Sequence, residues 1–286
     1  MKNIALRQRI LDSKRTPTLP NQARVLLQAF SNDTLSYQDL ATIVANHPPI
    51  AARLIALANS AWAAPSQPVD SLEKACLNLG INIVRSVSIG LTLISPFNVS
   101  ACPSFDLRHF WISSKLVADI AVMLASSMPT EPQPAVLHAI HTEGLLHNLG
   151  LLCLADILPK ETHHALTRVN SGSEQNVMDT LRVNMGTDYC EIGGLFAEIW
   201  GLPPSLVTVI QHHCANNYRG DYWDHTQLIG GAAKMVSAAY KGQQTAPELA
   251  MLEPLSIKPD DRQHIFGQLQ FLLPATTELA NALFRS

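Results

Sequence analysis

The chain is poor in charged residues and has no long uninterrupted run of apolar residues. Of its 286 residues, 15% are charged, and the formal net charge is only −3. This balance gives no general attraction to nucleic acid or to an anionic membrane. No stretch reaches the roughly 18 apolar residues of a transmembrane helix, and the opening MKNIALRQRILDSKR mixes charged with apolar residues, unlike a signal peptide. We therefore expect a cytoplasmic protein with no nucleic-acid partner and no membrane partner.

Paired cysteines are also missing. The five cysteines are odd in number, scattered, and form no CxxC motif: Cys76, Cys102, Cys153, Cys190 and Cys214. Most of them lie in apolar stretches. This pattern predicts reduced core residues rather than a disulfide framework or a zinc site.

What the sequence does contain is apolar residues at helical spacing. Hydrophobic residues make up 47% of the chain, and strand signals are nearly absent, so we predict an all-α fold. Ser36 followed by Asp39 resembles a capping box at a helix start. The segment INIVRSVSIGLTLI (81–94) is rich in β-branched residues and could be a strand alone, but the spacing of its apolar residues favours a helix.

Prolines and small polar residues between Pro96 and Ser104 mark the predicted boundary between two helical subdomains. The predicted organisation is an N-terminal extension (1–15), an N-terminal helical subdomain (16–100), a second helical subdomain (101–240) and a C-terminal extension (241–286). We predict one long buried helix across Ala135–Ile157. Two short helices are predicted in the tail, near Asp260–Leu272 and Thr276–Phe284.

The segment EGLLHNLG places His147 beside Asn148 in an apolar helix. Many metal phosphohydrolases have His-Asp at such a position, because a neutral imidazole and a carboxylate together bind a divalent cation. Asparagine carries no charge. The pair is therefore a metal site, a degenerate metal site, or simply part of a buried helix.

Several motifs resemble the HDOD domain, a relative of the HD phosphohydrolases found in bacterial signalling proteins. They occur in the same order and spacing: the LP turn, ARLIALANSAW, SLEKACLNLG, FW followed by GLLHNLG, and DYCEIGGLFAEIWG followed by QHH. The resemblance covers about residues 16–240. It implies an HD-like helical bundle with a second, N-terminal helical subdomain, and does not by itself define a function.

The resemblance also implies where metal ligands of an active HD protein would lie. The corresponding positions in this sequence are Ser113, His147, Asn148, Tyr189, His212 and His213. Three of the six retain histidine, and no late aspartate occurs in GGAAKMVSAAY. We therefore predict a vestigial site without catalytic residues.

Metal binding at this vestigial site would depend on His147, His212 and His213. Neighbouring residues of a helix point about 100° apart, so His212 and His213 should not face the same ion. Glu143, one turn before His147, could hydrogen-bond its imidazole or replace the lost charge, and His141 could lie on the same face. We expect no metal and no cofactor; the alternative is a single weakly bound divalent metal.

These residues leave more than one function open. The leading interpretation is a non-catalytic signalling or scaffold module that acts through an unknown signalling protein partner. A metal-dependent phosphohydrolase acting on a nucleotide or phosphodiester is the alternative. A third interpretation is a pocket that binds a nucleotide-like ligand without turnover.

Overall fold

The computed structural model describes residues 18–19, 21–30, 35–130, 132–174 and 176–284; the predicted extension 1–15 lies outside them. Within these ranges the chain is helical and has no strand, which confirms the all-α prediction. The helices before Pro96 are α1 (Asn21–Phe30), α2 (Tyr37–Ala45), α3 (Pro48–Ala58), α4 (Leu72–Leu79) and α5 (Ile81–Ile94).

Local sequence signals define several of these helices. α2 begins with the predicted capping box, in which the Ser36 hydroxyl accepts from the Asp39 amide and the Asp39 carboxylate accepts from the Ser36 amide. The β-branched segment forms helix α5, as its apolar spacing predicts, and buries Val84 and Val87. Helical spacing thus outweighs β-propensity here, because it places these side chains on one buried face.

After a 3₁₀ turn at Val99–Ala101 the second half of the fold begins. Its helices are α6 (Leu107–Ser126), α7 (Pro134–Leu146), α8 (Leu149–Ile157), α9 (Pro159–Asn170), α10 (Val177–Met185), α11 (Tyr189–Ile199), α12 (Pro204–His212), α13 (Trp223–Tyr240) and α14 (Pro259–Leu283), with a 3₁₀ helix at Ala250–Leu255. Helices α7, α13 and α14 pack on α6, while α8 packs on α11 and α11 on α12.

Two helix predictions were wrong. The predicted single helix across Ala135–Ile157 is broken at His147 and Asn148, which separate α7 from α8. The two predicted tail helices are one helix, α14, with Pro274 in its interior. A proline inside a helix costs about 3 kcal/mol, but Leu269 and Leu279 are buried on either side of it, so packing holds the helix together.

One hydrophobic core runs through both halves of the described chain. Among the residues buried in it are Leu54, Leu57, Leu146, Leu149 and Trp200. Trp200 contacts Phe97 at the predicted boundary, with ring centroids 6.2 Å apart. The division at Pro96–Ser104 remains a prediction.

No single described helix is long and apolar enough to cross a membrane. Only the pair α4 and α5 meets that test by length and composition, and the two helices are bent by 111° relative to each other.

Candidate functional site

His147 lies at the break between α7 and α8, fully enclosed by protein. Its Nδ1 donates a hydrogen bond to the carbonyl of Gly144 over 2.7 Å, which leaves Nε2 as the atom available to accept a proton or bind a ligand. Burial, followed by the charge of neighbouring His213, lowers the pKa of His147 to about 3. The imidazole is therefore neutral at physiological pH.

A glycine pair brings α11 against this break. A side chain at Gly150 would overlap the carbonyl oxygen of Tyr189 and lie 2.6 Å from the amide nitrogen of Gly193. Because neither Gly150 nor Gly193 has a Cβ, the two helix backbones approach directly. Their contact places the first turn of α11, with Tyr189 and Cys190, against the start of α8, which follows His147.

His213, at the end of α12, completes the histidine pair. Its ring stands nearly perpendicular to that of His147, with centroids 5.1 Å apart. Nδ1 of His213 contacts the carbonyls of Val209 and Ile210 at 3.1 and 3.2 Å. The pair is therefore held between backbone carbonyls of two different helices, with both imidazoles turned inward.

Two cysteines and a tyrosine surround His213. The sulfur of Cys190 lies 3.9 Å from both ring nitrogens of His213. The hydroxyl of Tyr189 lies 3.2 Å from the sulfur of Cys214. We call Cys190, His213 and Cys214 the thiol–imidazole cluster; one ligand atom from each lies within 4.8 Å of the others.

The pKa values of the two thiols in the cluster are shifted in opposite directions. A hydrogen bond from Cys190, together with the positive charge of His213, holds the pKa of Cys214 well below its usual value against the opposing effect of burial. The hydrogen bond to Cys214 and burial raise the pKa of Cys190. Burial opposes protonation of His213, but the Cys214 thiolate and the two carbonyls outweigh it and raise the pKa of His213. The cluster thus favours a Cys214 thiolate beside a charged His213.

The other residues predicted for the vestigial site lie apart from this cluster. The Ser113 hydroxyl bonds to Tyr240, and Asn148 is a half-buried residue at the start of α8 without a side-chain cap. His212 is turned outward, as the helical geometry predicts, and its ring stacks on that of Tyr218 at 4.2 Å.

The two supporting residues have other partners. Oε2 of Glu143 accepts a hydrogen bond from Nδ1 of His225 over 2.7 Å, while Nδ1 of His147 bonds to the carbonyl of Gly144. Nε2 of His141 lies 3.6 Å from the carboxylate of Asp119, which also pairs with Lys115. The geometric reason is that both side chains leave α7 on faces directed toward α13 and α6.

The donor set does not fit the carboxylate-bridged metal pair that an HD-like fold implies. Such a centre needs at least one carboxylate to offset the charge of the ions. Beside His147 stands the Asn148 amide, which offers only a dipole, and Glu143 is paired with His225. Among the described residues, the one group of three or more potential ligands with a common reach is the thiol–imidazole cluster.

A surface cleft of about 350 Å³ opens beside the cluster. Its walls include Cys190 and Cys214 as well as polar side chains of α10, α11 and α12, namely Arg182, Glu191, Gln211 and His212. Arg182 is half exposed and pairs with the buried carboxylate of Asp188 at 2.6 Å. The cleft therefore connects a polar, hydrogen-bonding surface with the sulfurs of Cys190 and Cys214.

Sequence reasoning missed Cys190, Cys214 and His225 as members of polar centres. The run His212-His213-Cys214 is a visible sequence signal for one of them. Cys190 lies 23 residues from His213, and His225 lies 82 residues from Glu143, so only the tertiary fold joins them.

An all-helical bundle with His147 at the break between α7 and α8 is an HD-domain-like fold. Residues 16–216 match the HDOD domain, and the chain belongs to the HDOD domain family. No curated protein matches the chain.

Solved structures of similar fold include proteins of the following three organisms. A candidate signal transduction protein of Marinobacter aquaeolei VT8 is 21% identical with a TM-score of 0.82; the match covers 99% of this chain but only 66% of that one. A candidate phosphohydrolase of Shewanella amazonensis SB2B is 24% identical over 98% of both chains, with a TM-score of 0.71. An HDOD domain protein of unknown function from Geobacter sulfurreducens is 18% identical over 94% of both chains, with a TM-score of 0.69. At these identities the likeness establishes the fold alone.

Proposed function

We propose that this protein is a non-catalytic signalling module that acts by binding a protein partner or a small ligand. One observation carries the proposal: the residue beside His147 is Asn148, and the nearby buried acid, Glu143, is engaged by His225. A hydrolytic metal centre at this position would lack the charged oxygen ligand that neutralises the ion and acidifies its bound water.

The alternative function, a metal-dependent phosphohydrolase, has the fold in its favour. Function depends on the site rather than the fold, however. Tyr189 stands where the resemblance implies a further histidine, and its hydroxyl is directed to the Cys214 sulfur. Ser113, at another of these positions, bonds to Tyr240. The remaining donors are imidazole, amide and sulfur, which suit recognition better than phosphate hydrolysis.

The cleft supports a small ligand as one mode of action. Its volume of about 350 Å³ falls in the range of small-molecule sites. Arg182 offers a cation to a phosphate group, and the His212–Tyr218 stack borders the opening with aromatic surface. A nucleotide-like ligand combines the same two features, a phosphate and a planar base.

We also propose that the protein is cytoplasmic and that its partner is a signalling protein rather than nucleic acid or membrane.

A hydrolysis assay with a genetic arm tests the proposal. Purified protein is incubated with bis-(p-nitrophenyl) phosphate and with cyclic dinucleotides in the presence of Mg²⁺, Mn²⁺ or Zn²⁺. We expect no release of product above that of a His147→Ala variant. Metal-dependent turnover that His147→Ala abolishes would establish the phosphohydrolase instead.

The genetic arm separates a binding role from a hidden enzyme. A strain lacking the protein is complemented with wild type, His147→Ala, or a cleft variant, Arg182→Glu. If the cleft binds the ligand, we expect His147→Ala to restore the wild-type phenotype and Arg182→Glu not to restore it. Failure of His147→Ala with normal folding would count against the binding module.

A further inference from the structure

We propose that Cys190, His213 and Cys214 form a binding site for a thiophilic divalent metal ion, with Zn²⁺ as the expected ion. Only His213 belongs to the positions that the HDOD resemblance implies for metal ligands. The site differs in kind from a hydrolytic HD centre, because two of its three ligands are sulfur. It goes beyond the proposed signalling function and does not depend on it.

The spacing of the three groups suits one tetrahedral ion. Zinc lies about 2.3 Å from a thiolate sulfur and about 2.0 Å from an imidazole nitrogen, so two ligands of one ion are roughly 3.5–4 Å apart. The Cys190 sulfur and the His213 ring nitrogens are 3.9 Å apart, and all three ligand atoms lie within 4.8 Å of one another. The chain therefore brings the ligands to the separation that an ion requires.

His213 is oriented as metal-binding histidines usually are. Its Nδ1 faces the carbonyls of Val209 and Ile210. A hydrogen bond from one ring nitrogen to a carbonyl fixes the tautomer and leaves the other nitrogen with its lone pair free for the metal. Nε2 is thus the coordinating atom.

Cys190 is held in a rigid setting at the start of α11. The buried Asp188 carboxylate caps this helix by accepting from the amides of Cys190 and Glu191 at 2.7 and 3.0 Å, and Arg182 fixes Asp188 in turn. This capping fixes the backbone that carries the Cys190 sulfur, which lies 3.9 Å from the ring nitrogens of His213.

The sulfur of Cys214 has a hydrogen-bond partner of its own. The Tyr189 hydroxyl donates to its sulfur over 3.2 Å, as outer-shell groups do for metal-bound thiolates. Two thiolates and one neutral imidazole balance the charge of a divalent ion in this largely buried place. Coordination releases the protons that the Cys190 thiol and the charged His213 hold. Soft sulfur ligands select zinc over magnesium or calcium.

The cleft supplies the fourth position. Cys190 and Cys214 line it, so water or a ligand group in the cleft can reach an ion held between them. Three protein ligands with one open position leave the ion accessible from outside. The ion would link the start of α11 to the end of α12. Its fourth ligand would change with what occupies the cleft.

The test uses the full-length, reduced protein after treatment with a chelator. Zn²⁺ is titrated in competition with a chromophoric chelator, and Co²⁺ is used as a spectroscopic substitute. We expect one equivalent of Zn²⁺ per chain and a sulfur-to-cobalt charge-transfer band in the near ultraviolet. Cys190→Ser and Cys214→Ser should each weaken the band, because only one thiolate ligand remains. Each should also weaken Zn²⁺ binding by more than about 10-fold, since loss of an outer-shell partner alone already costs about that much.

Two further variants keep the experiment decisive if a ligand variant misfolds. Cys102→Ser replaces another buried cysteine, remote from the cluster, and should bind Zn²⁺ like wild type. Tyr189→Phe removes only the outer-shell hydroxyl and should weaken binding by about 10-fold or more with the fold unchanged.

The proposal is overturned if reduced wild-type protein takes up no stoichiometric Zn²⁺, or if Cys190→Ser and Cys214→Ser bind it as tightly as Cys102→Ser. A Cys190–Cys214 disulfide that forms in air, in a protein that binds no Zn²⁺ once reduced, also overturns it. Metal uptake is measured without substrate, so its outcome is independent of the hydrolysis assay.

Discussion

Nδ1 of His225 on α13 donates a hydrogen bond of 2.7 Å to Oε2 of Glu143 on α7. Both side chains are nearly buried, at 12% and 2% exposure. Burial opposes a charge on His225, but the hydrogen bond to Glu143 and its negative charge prevail and raise the pKa of His225. This ion pair joins two helices next to the candidate site and makes the stability of the fold depend on pH.

The free energy of unfolding should fall as pH rises above about 6.5, the pKa of an unfolded histidine. Because the pKa of His225 is higher in the folded state, its contribution is fully present below the unfolded pKa and is lost as pH passes through the folded pKa. Urea unfolding of wild type and Glu143→Gln between pH 5.5 and 8.5, roughly the range over which histidine titrates, measures the slope. Glu143→Gln should be flatter. His264→Gln, at an exposed histidine, should keep the wild-type slope, and equal slopes in all three proteins would contradict the prediction.

Gly150→Ala should destabilise the protein by about 3 kcal/mol or more, at the upper end of the range for overpacking. The added methyl group would overlap the carbonyl oxygen of Tyr189, and backbone cannot move aside as a flexible side chain can. Gly267→Ala in α14 is the matched control, because nothing lies within 4 Å of the added Cβ. It should be neutral or stabilising by up to about 1 kcal/mol. Denaturant melts that rank the two variants equally would refute the close helix contact.

Asn59→Ala should destabilise the fold by about 1–3 kcal/mol, the range for a lost pair of hydrogen bonds to buried backbone. The Asn59 side chain donates to the carbonyl of Val69 over 2.7 Å and accepts from its amide over 2.8 Å, which closes the loop after α3. The control is Asn46→Ala, since the Asn46 side chain makes one exposed bond to Thr42. A thermal unfolding midpoint for Asn59→Ala no lower than that of the control would show that the loop does not depend on this residue.

Leu149→Ala should cost about 2–5 kcal/mol of stability, as for other large-to-small changes in a core. Leu149 opens α8 and is only 2% exposed. Leu77→Ala is the comparison, because Leu77 is 54% exposed and should change stability little. The prediction fails if chemical denaturation gives both variants the stability of wild type.

Asn148→Asp alone should not create a phosphohydrolase. The substitution adds one carboxylate beside His147. The Ser113 hydroxyl remains bonded to Tyr240 and the Tyr189 hydroxyl to the Cys214 sulfur, so a second ion still lacks ligands. A half-buried carboxylate without a cation should lower stability slightly or have a raised pKa. The measurement is hydrolysis of bis-(p-nitrophenyl) phosphate with Mn²⁺ or Zn²⁺, together with a melt. Robust turnover by this single variant would indicate that the protein is a phosphohydrolase rather than a binding module.

Local patterns predicted the helices well, because each depends on neighbours in the sequence. The capping box at Ser36 and the helix over Ile81–Ile94 follow from contacts within one or two turns. The break at His147 could not be found in this way, since the apolar period continues through it. It coincides with the close approach of Gly150 to Gly193, 43 residues away in the chain (193 minus 150).

The candidate site was predictable only in part for the same reason. His147 and His213 follow from the resemblance to the HDOD domain, and the outward turn of His212 follows from helix geometry. Cys190 and Cys214 are brought together by the packing of α11 against α12. Glu143 and His225 are brought together by the packing of α7 against α13. Sequence spacing carries no information about such distant pairs.

The packing of Gly230 against the carbonyl of His213 connects the thiol–imidazole cluster with the Glu143–His225 pair. Gly230 lies on α13, less than two turns after His225, so α13 touches the thiol–imidazole cluster with one residue and holds Glu143 with another. A displacement of the end of α12 cannot be absorbed by a side chain at that contact, because Gly230 has none. Occupancy of the cleft and protonation of His225 should therefore influence each other thermodynamically, and a ligand that shifts α12 would change the proton affinity of a histidine it never touches.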